Sequence, residues 1–187
     1  MAGVASRESY FETGLDVLSD LGYGGLKLAV VCNRLGVTTG SFYHYFPSWS
    51  AYTRDLVGHW VRERETGMAA AWAEPDPRRR VDTIIEHALA LPHGAEAAIR
   101  VWSSIDPEVR AVQSTVDRQR YDALFSAAFE ILDHKHQAQV FASWGMYLLI
   151  GYEQSTMPSE TKDLRWIADQ LLDTLDAGRF GSVPDAG

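Results

Sequence analysis

LKLAVVCNRLGVTTGSFYHYF, residues 26–46, reads as two short helices hinged on one glycine. Leu28, Val31 and Leu35 recur at steps of three and four, so residues 27–35 make a helix with one apolar face. Ala29 and Cys32 are small and allow close packing. Gly36 stands where a left-handed residue ends a helix. Val37 plugs the angle that follows, and Thr38 caps a second helix over residues 39–45, closed by Pro47. Phe42 and Phe46, four apart, point back into the same core. Two helices joined by so tight a turn form a helix-turn-helix.

The outward face of the second helix then carries Thr39, Gly40, Ser41, Tyr43 and His44, next to the cap Thr38. Small and hydrogen-bonding residues at a helix start suit a DNA major groove about 12 Å wide. Gly40 lets backbone approach the duplex, and Thr38, Thr39 and Ser41 offer hydroxyls to base edges or phosphates. Tyr43 offers a phenol to a phosphate, and His44 a base or phosphate contact. Lys27 opens the preceding helix, whose free N–H groups also favour a phosphate.

Working outward, residues 7–21 form a first helix with Phe11, Leu15, Leu18 and Leu21 on one face, stopped by the glycines at 22, 24 and 25. Ser48 caps a long helix to about residue 72. Asp76-Pro77 starts another helix, which the stretch from Leu91 through Pro92 and His93 to Gly94 interrupts. Asp106-Pro107-Glu108 opens one that runs to about Leu132. Two more follow over 136–157 and 159–177, ahead of a glycine-containing tail, 178–187, expected to fray. The run Arg78-Arg79-Arg80 reads as a solvated helix start.

Gly22-Tyr23, then Leu35-Gly36-Val37, then the run from Gly40 through Phe42, Tyr43, His44, Tyr45, Phe46 and Pro47 to Ser48 resembles the N-terminal domain of the tetracycline-repressor (TetR) family. The resemblance covers roughly residues 7–60. Beyond them it extends only to helix number and layout. It departs from the family at Trp49, where a phosphate-binding lysine is usual, and at Leu26-Lys27-Leu28 and Ala29-Val30, where polar residues are usual. The resemblance implies an all-α chain of about nine helices. Residues 1–48 would be the DNA-binding head, and residues 49–187 a helical effector-binding and dimerisation domain.

The expected body is rich in aromatic residues. Trp60, Trp102, Phe125, Phe129, Trp144 and Tyr147 are the candidates for a mostly apolar effector pocket, each with core packing as its alternative. The last two helices carry broad stripes, Val140, Phe141, Trp144, Leu148 and Leu149, then Leu164, Ile167, Leu171, Leu172 and Leu175. One side of them packs on the body and the other meets a second copy, the homodimer the resemblance implies.

Composition bounds the rest. The chain has 187 residues, 46% of them apolar, and a net charge of -8. Residues 1–60 carry four basic and five acidic side chains, so DNA affinity must come from local placement rather than a broad positive field. The lone Cys32 fits a reducing compartment, and the first seven residues hold no apolar leader, so the expected location is the cytoplasm. No apolar run approaches the roughly 20 residues of a membrane span. His134 and His136, two apart, do not share a helix face, so no metal is expected. No HExxH, CxxC, GxSxG or phosphate-loop motif occurs, so neither an enzyme nor a cofactor is implied. The expectation is a transcriptional regulator, on balance a repressor, that binds a palindromic operator as a dimer and is released by a small effector. The alternative is a helical ligand-binding or scaffold protein of the same fold with weakened or lost DNA binding.

Overall fold

Local stop and start signals set the helices of the computed structural model, which describes residues 5–156 and 160–184. Among these the chain forms α1 (Arg7–Gly25), α2 (Leu28–Leu35), α3 (Thr39–Tyr45), α4 (Trp49–Ala73), α5 (Pro77–Leu89), α6 (His93–Ser103), α7 (Pro107–Leu132), α8 (Lys135–Gln154) and α9 (Thr161–Asp176), then a 3-10 turn (Arg179–Ser182). The described residues contain no strand, as the sequence reading expects. Ser6 and Ser9 cap each other's backbone at the start of α1, Asp76 accepts from Arg79 N–H at α5, and Asp106 from Glu108 N–H at α7. The imidazole of His134 caps α8 by accepting from Gln137 N–H, a structural role the sequence did not suggest.

Several boundaries differ from expectation. α1 continues through the glycines to Gly25, with a kink at Gly22, whose φ of 66° lies in the left-handed region. Leu21 is exposed, and Tyr10 and Val17 are buried in its stead. Ala29 faces solvent while Cys32 is buried. The expected helix end at Met157 and start at Ser159 lie outside the described residues, and α9 opens at Thr161. Within the tail expected to fray, Arg179–Ser182 form the 3-10 turn, because buried Phe180 packs edge-on against Phe141 and beside Trp144, and residues 185–187 lie outside the described residues.

The contacts divide the chain into two units, residues 5–64 with 92–113 and residues 65–91 with 114–184. In the first, α1 lies along α6. An added Cβ on Gly94 would stand 2.7 Å from the Ser19 carbonyl, and Tyr23 stacks on Trp102 at 4.8 Å. Glycine there permits the two helices to meet. In the second, α5 is tied to α9 by Arg78 on Asp176 (2.6 and 2.7 Å) and Arg165 on Glu86 (2.6 and 2.9 Å). Arg80 pairs with Glu130 at 2.7 Å and donates to the Glu74 carbonyl. The arginine run is therefore a tether, with only Arg79 fully in solvent. The second core is alanine-rich, with Ala123, Ala127, Ala128, Ala138 and Ala142 around Phe141 and Leu171. Small side chains let the helices approach.

Candidate nucleic-acid interface

α2 and α3 meet at Gly36, whose φ of 70° and ψ of 29° make the left-handed turn that its missing Cβ allows. Its N–H donates to Asn33 O, and Val37 N–H to Cys32 O at 3.0 Å. Thr38 then caps α3: its hydroxyl accepts from Ser41 N–H at 3.2 Å and shares a hydrogen bond with the Ser41 hydroxyl at 3.1 Å. These two hydroxyls are held by each other. Thr39, Gly40, Tyr43 and His44 are exposed together on the outer side of α3. Gly40 meets nothing closer than the Thr38 hydroxyl, 3.6 Å from a notional Cβ, so its own protein places no demand for glycine there. Tyr43 is 54% exposed and leans edge-on against Phe42. Lys27 is the exposed N-cap of α2.

Behind that face lies an aromatic cluster. Phe42 and Phe46 are fully buried among Tyr10, Phe11 and Tyr52, with ring centres 5.0 to 5.7 Å apart. Tyr52 donates its hydroxyl to the Tyr10 carbonyl at 2.8 Å, and burial, then the nearby Cys32, pushes that hydroxyl well above the usual tyrosine range. Trp49 packs on Tyr52 at 5.0 Å and on Phe42 at 6.0 Å. Two anchors fix the end of α3 to the start of α1. Arg7 donates to the Tyr45 carbonyl at 2.5 Å and lies 4.5 Å over the Phe46 ring, and the Tyr45 hydroxyl donates to the Ala5 carbonyl. Arg7, Tyr45 and Tyr52 position the face without belonging to it. Nothing in their local sequence signals that, since each acts on a residue some forty positions away.

Two of the three basic side chains of this head are paired with its own carboxylates or those of α4. Arg7 pairs with Asp55 and Arg34 with Asp20, both at 2.6 Å.

The six effector candidates fall in both units. Trp60 is buried in the first and donates to Glu96 at 2.6 Å, while Arg64 stands 3.4 Å from the same carboxylate. Trp102 lines a cavity of ≈ 280 Å³ in that unit. Phe125 and Phe129 stack along α7 in the second unit, and Tyr147, 73% exposed, lines an open groove. Trp144 is partly exposed beside Phe180. Two apolar cavities of ≈ 30 Å³ each lie within the second unit and share Ile85, Ala88, Gly145 and Leu149. Met68, His87 and Arg120 also line one of them.

Residues 11–49 match the family described as bacterial regulatory proteins, tetR family. The chain is 21% identical over 129 residues to the HTH-type transcriptional regulator BetI of Proteus mirabilis, an overlap of 63% of this chain and 64% of that protein. The chain thus spans just under two thirds of that curated relative. Its fold is similar to a transcriptional regulator from Rhodococcus, with a TM-score of 0.76 at 17% identity over 93% of this chain and 97% of that one. It is also similar to AibR, solved with isovaleryl coenzyme A and operator DNA, with a TM-score of 0.67 at 13% identity over 90% and 96% of the two chains. At these identities the structural likeness is one of fold.

Proposed function

We propose that this chain, which belongs to the TetR family of helix-turn-helix transcriptional regulators, acts in the cytoplasm as a dimeric repressor that a small effector releases from a palindromic operator. The observation that carries this reading is the outer side of α3, where Thr39, Gly40, Tyr43 and His44 stand in solvent on a rigid aromatic base. Thr39 and His44 read base edges, Gly40 lets the backbone approach the duplex, and Thr38 and Ser41 hold the helix start at the groove. Lys27 and Tyr43 are the phosphate anchors that set its register. Two heads on a two-fold axis read half-sites about 34–36 Å apart.

The second copy docks on α8 and α9. In support, Tyr147 and Trp166 are 73% and 63% exposed there, with Trp144 and Ile167 partly so, more apolar surface than a lone helix pair usually leaves in water. The effector binds in the second unit by widening its paired apolar cavities, ≈ 30 Å³ each when empty, and so favours a conformation with lower operator affinity. AibR, solved with an acyl-coenzyme A and its operator, is a precedent for one such fold serving both partners.

Fluorescence anisotropy against the DNA flanking its own gene, at several salt concentrations, tests the proposal. The expected result is sequence-specific binding that weakens with salt. Lys27→Ala should reduce the slope of log K against log salt by about 0.9 per head. Binding no stronger than to scrambled DNA would overturn it. That result favours the second reading, a ligand-binding protein of the same fold, which gains support from Trp49 at the usual lysine position and from the internal pairing of Arg7 and Arg34.

A further inference from the structure

We propose that the first unit holds a binding site for a small zwitterion with an apolar body, of the α-amino-acid kind, in the cavity between α4 and the start of α7. The cavity measures ≈ 280 Å³, close to the lower end of small-molecule sites at about 300 Å³. Its walls include Val57 and Gly58 of α4, Trp102 of α6 and Val109 of α7, and its charged groups are Arg54, Asp106 and Glu108. All belong to the same unit.

Gly58 is the most telling of these. It sits inside a 25-residue helix, where glycine is the least favourable residue after proline. Three other helix glycines have a packing reason: a Cβ on Gly14 would overlap the Tyr52 hydroxyl, one on Gly67 would stand 2.5 Å from His87 Nε2, and one on Gly94 would press on the Ser19 carbonyl. Gly58 shares with Gly40 and Gly151 the lack of one. A Cβ on Gly58 would meet only Arg62 of its own helix, at an ordinary 3.5 Å. Packing does not require the glycine. What a side chain there would occupy is the cavity.

The charged groups come in both signs and are differently held. Asp106 is fixed, since one carboxylate oxygen accepts from Glu108 and Val109 N–H (3.0 and 3.3 Å) and the other from Trp102 Nε1 (3.2 Å). A carboxylate has room for one more donor after these three. Arg54 and Glu108 are 68% and 80% exposed and only loosely paired at 3.8 Å. So long a contact between solvated groups is easily exchanged for another partner. A ligand ammonium therefore goes to Asp106 and Glu108, a ligand carboxylate to Arg54, and an aliphatic or aromatic side chain to the Val57–Trp102–Val109 floor. A purely anionic ligand would face two carboxylates, and a purely cationic one would leave Arg54 without a partner in the site.

Calorimetric titration of the full chain with L-leucine and L-phenylalanine tests this, beside 3-methylbutylamine and 4-methylpentanoate, which each lack one of leucine's charges. Saturable binding of an amino acid is expected, with each single-charge analogue about tenfold weaker or more. Arg54→Gln should bring leucine down to the level of the amine. Gly58→Leu should abolish binding while circular dichroism stays helical, and should it fail to fold, the surface variant Arg54→Gln decides alone. No saturable binding of either amino acid, equal binding of the single-charge analogues, or leucine binding unchanged by Arg54→Gln overturns the proposal. None of these measurements uses DNA, so a failure of operator recognition would not be mistaken for a failure of this site.

Discussion

Gly14→Ala should destabilise the head, and the same substitution should become neutral or favourable once Tyr52 has lost its hydroxyl. An added methyl at position 14 would overlap the Tyr52 hydroxyl and stand 3.0 and 3.1 Å from the two Leu56 methyls. Tyr52 is fully buried, its hydroxyl bonded to Tyr10 O and its ring held by Phe46 and Trp49 at 5.0 Å. The ring has no free direction in which to yield. Overpacking of this kind costs about 1–3 kcal/mol, and displacing the hydrogen bond about 1 more. Replacing a helix-interior glycine by alanine returns about 1 kcal/mol. The net expected loss is about 1–3 kcal/mol. In a Tyr52→Phe background, itself about 1 kcal/mol less stable than wild type, the overlap is gone and only the Leu56 methyls must give by a few tenths of an ångström. Gly14→Ala should then change stability by about 0 to 1 kcal/mol in the favourable direction, a coupling of about 2 kcal/mol. Urea unfolding of the four proteins, followed by circular dichroism, measures it. Equal effects of Gly14→Ala in the two backgrounds would refute the reasoning.

Trp60→Phe removes a donor to the buried Glu96 carboxylate and should cost about 1.5–3 kcal/mol in urea unfolding, against less than about 1 for Trp72→Phe, half-exposed at the end of α4. Cys32 is buried and its thiol is pushed up by that burial, so a colourless-to-yellow thiol reagent at mildly alkaline pH should react only at the rate of head unfolding, and immediate stoichiometric reaction would contradict the burial. The hydrogen bond from Arg78 holds the Asp176 carboxyl below its usual range, as Arg165 does for Glu86. Groups with depressed folded values stabilise above the unfolded carboxylate pKa, about 4, and lose that contribution as pH falls through the folded value. The gap in urea midpoint between wild type and Asp176→Asn should therefore be present at neutral pH and close in acid, and a gap that widens in acid would reverse the sign of the argument.

The helix map was legible because its signals are local. Thr38 and Asp76-Pro77 act within one turn of themselves, and α3 and α7 begin and end where their caps predict. The outer face of α3 was legible for the same reason, since Phe42 and Phe46 assign the inner side and leave the other outward. What stayed hidden depends on partners far along the chain. Tyr52 bonds a carbonyl 42 residues away, Arg78 meets Asp176 across 98, and Phe180 has a socket only because α8 passes beneath it. Gly94 was read as part of a helix break, whereas it lies inside α6 at a close approach to Ser19, and nothing local marked Gly14 and Gly67 as points of close approach. The aromatic residues chosen for an effector pocket rested on abundance, which carries no address: Trp60 went to a core hydrogen bond, and Tyr147 to the surface.

Trp49 spends a position usually given to charge on packing against Phe42 and Tyr52. The consequence lies in how steady such a switch would be. Each missing ammonium–phosphate contact lowers the salt exponent by about 0.9, so the proposed dimer lacks about 1.8. When salt around the operator rises threefold, this regulator would lose roughly sevenfold less affinity than a version with lysines at both copies of position 49. Its set-point would follow its effector more closely than the ionic weather of the cell.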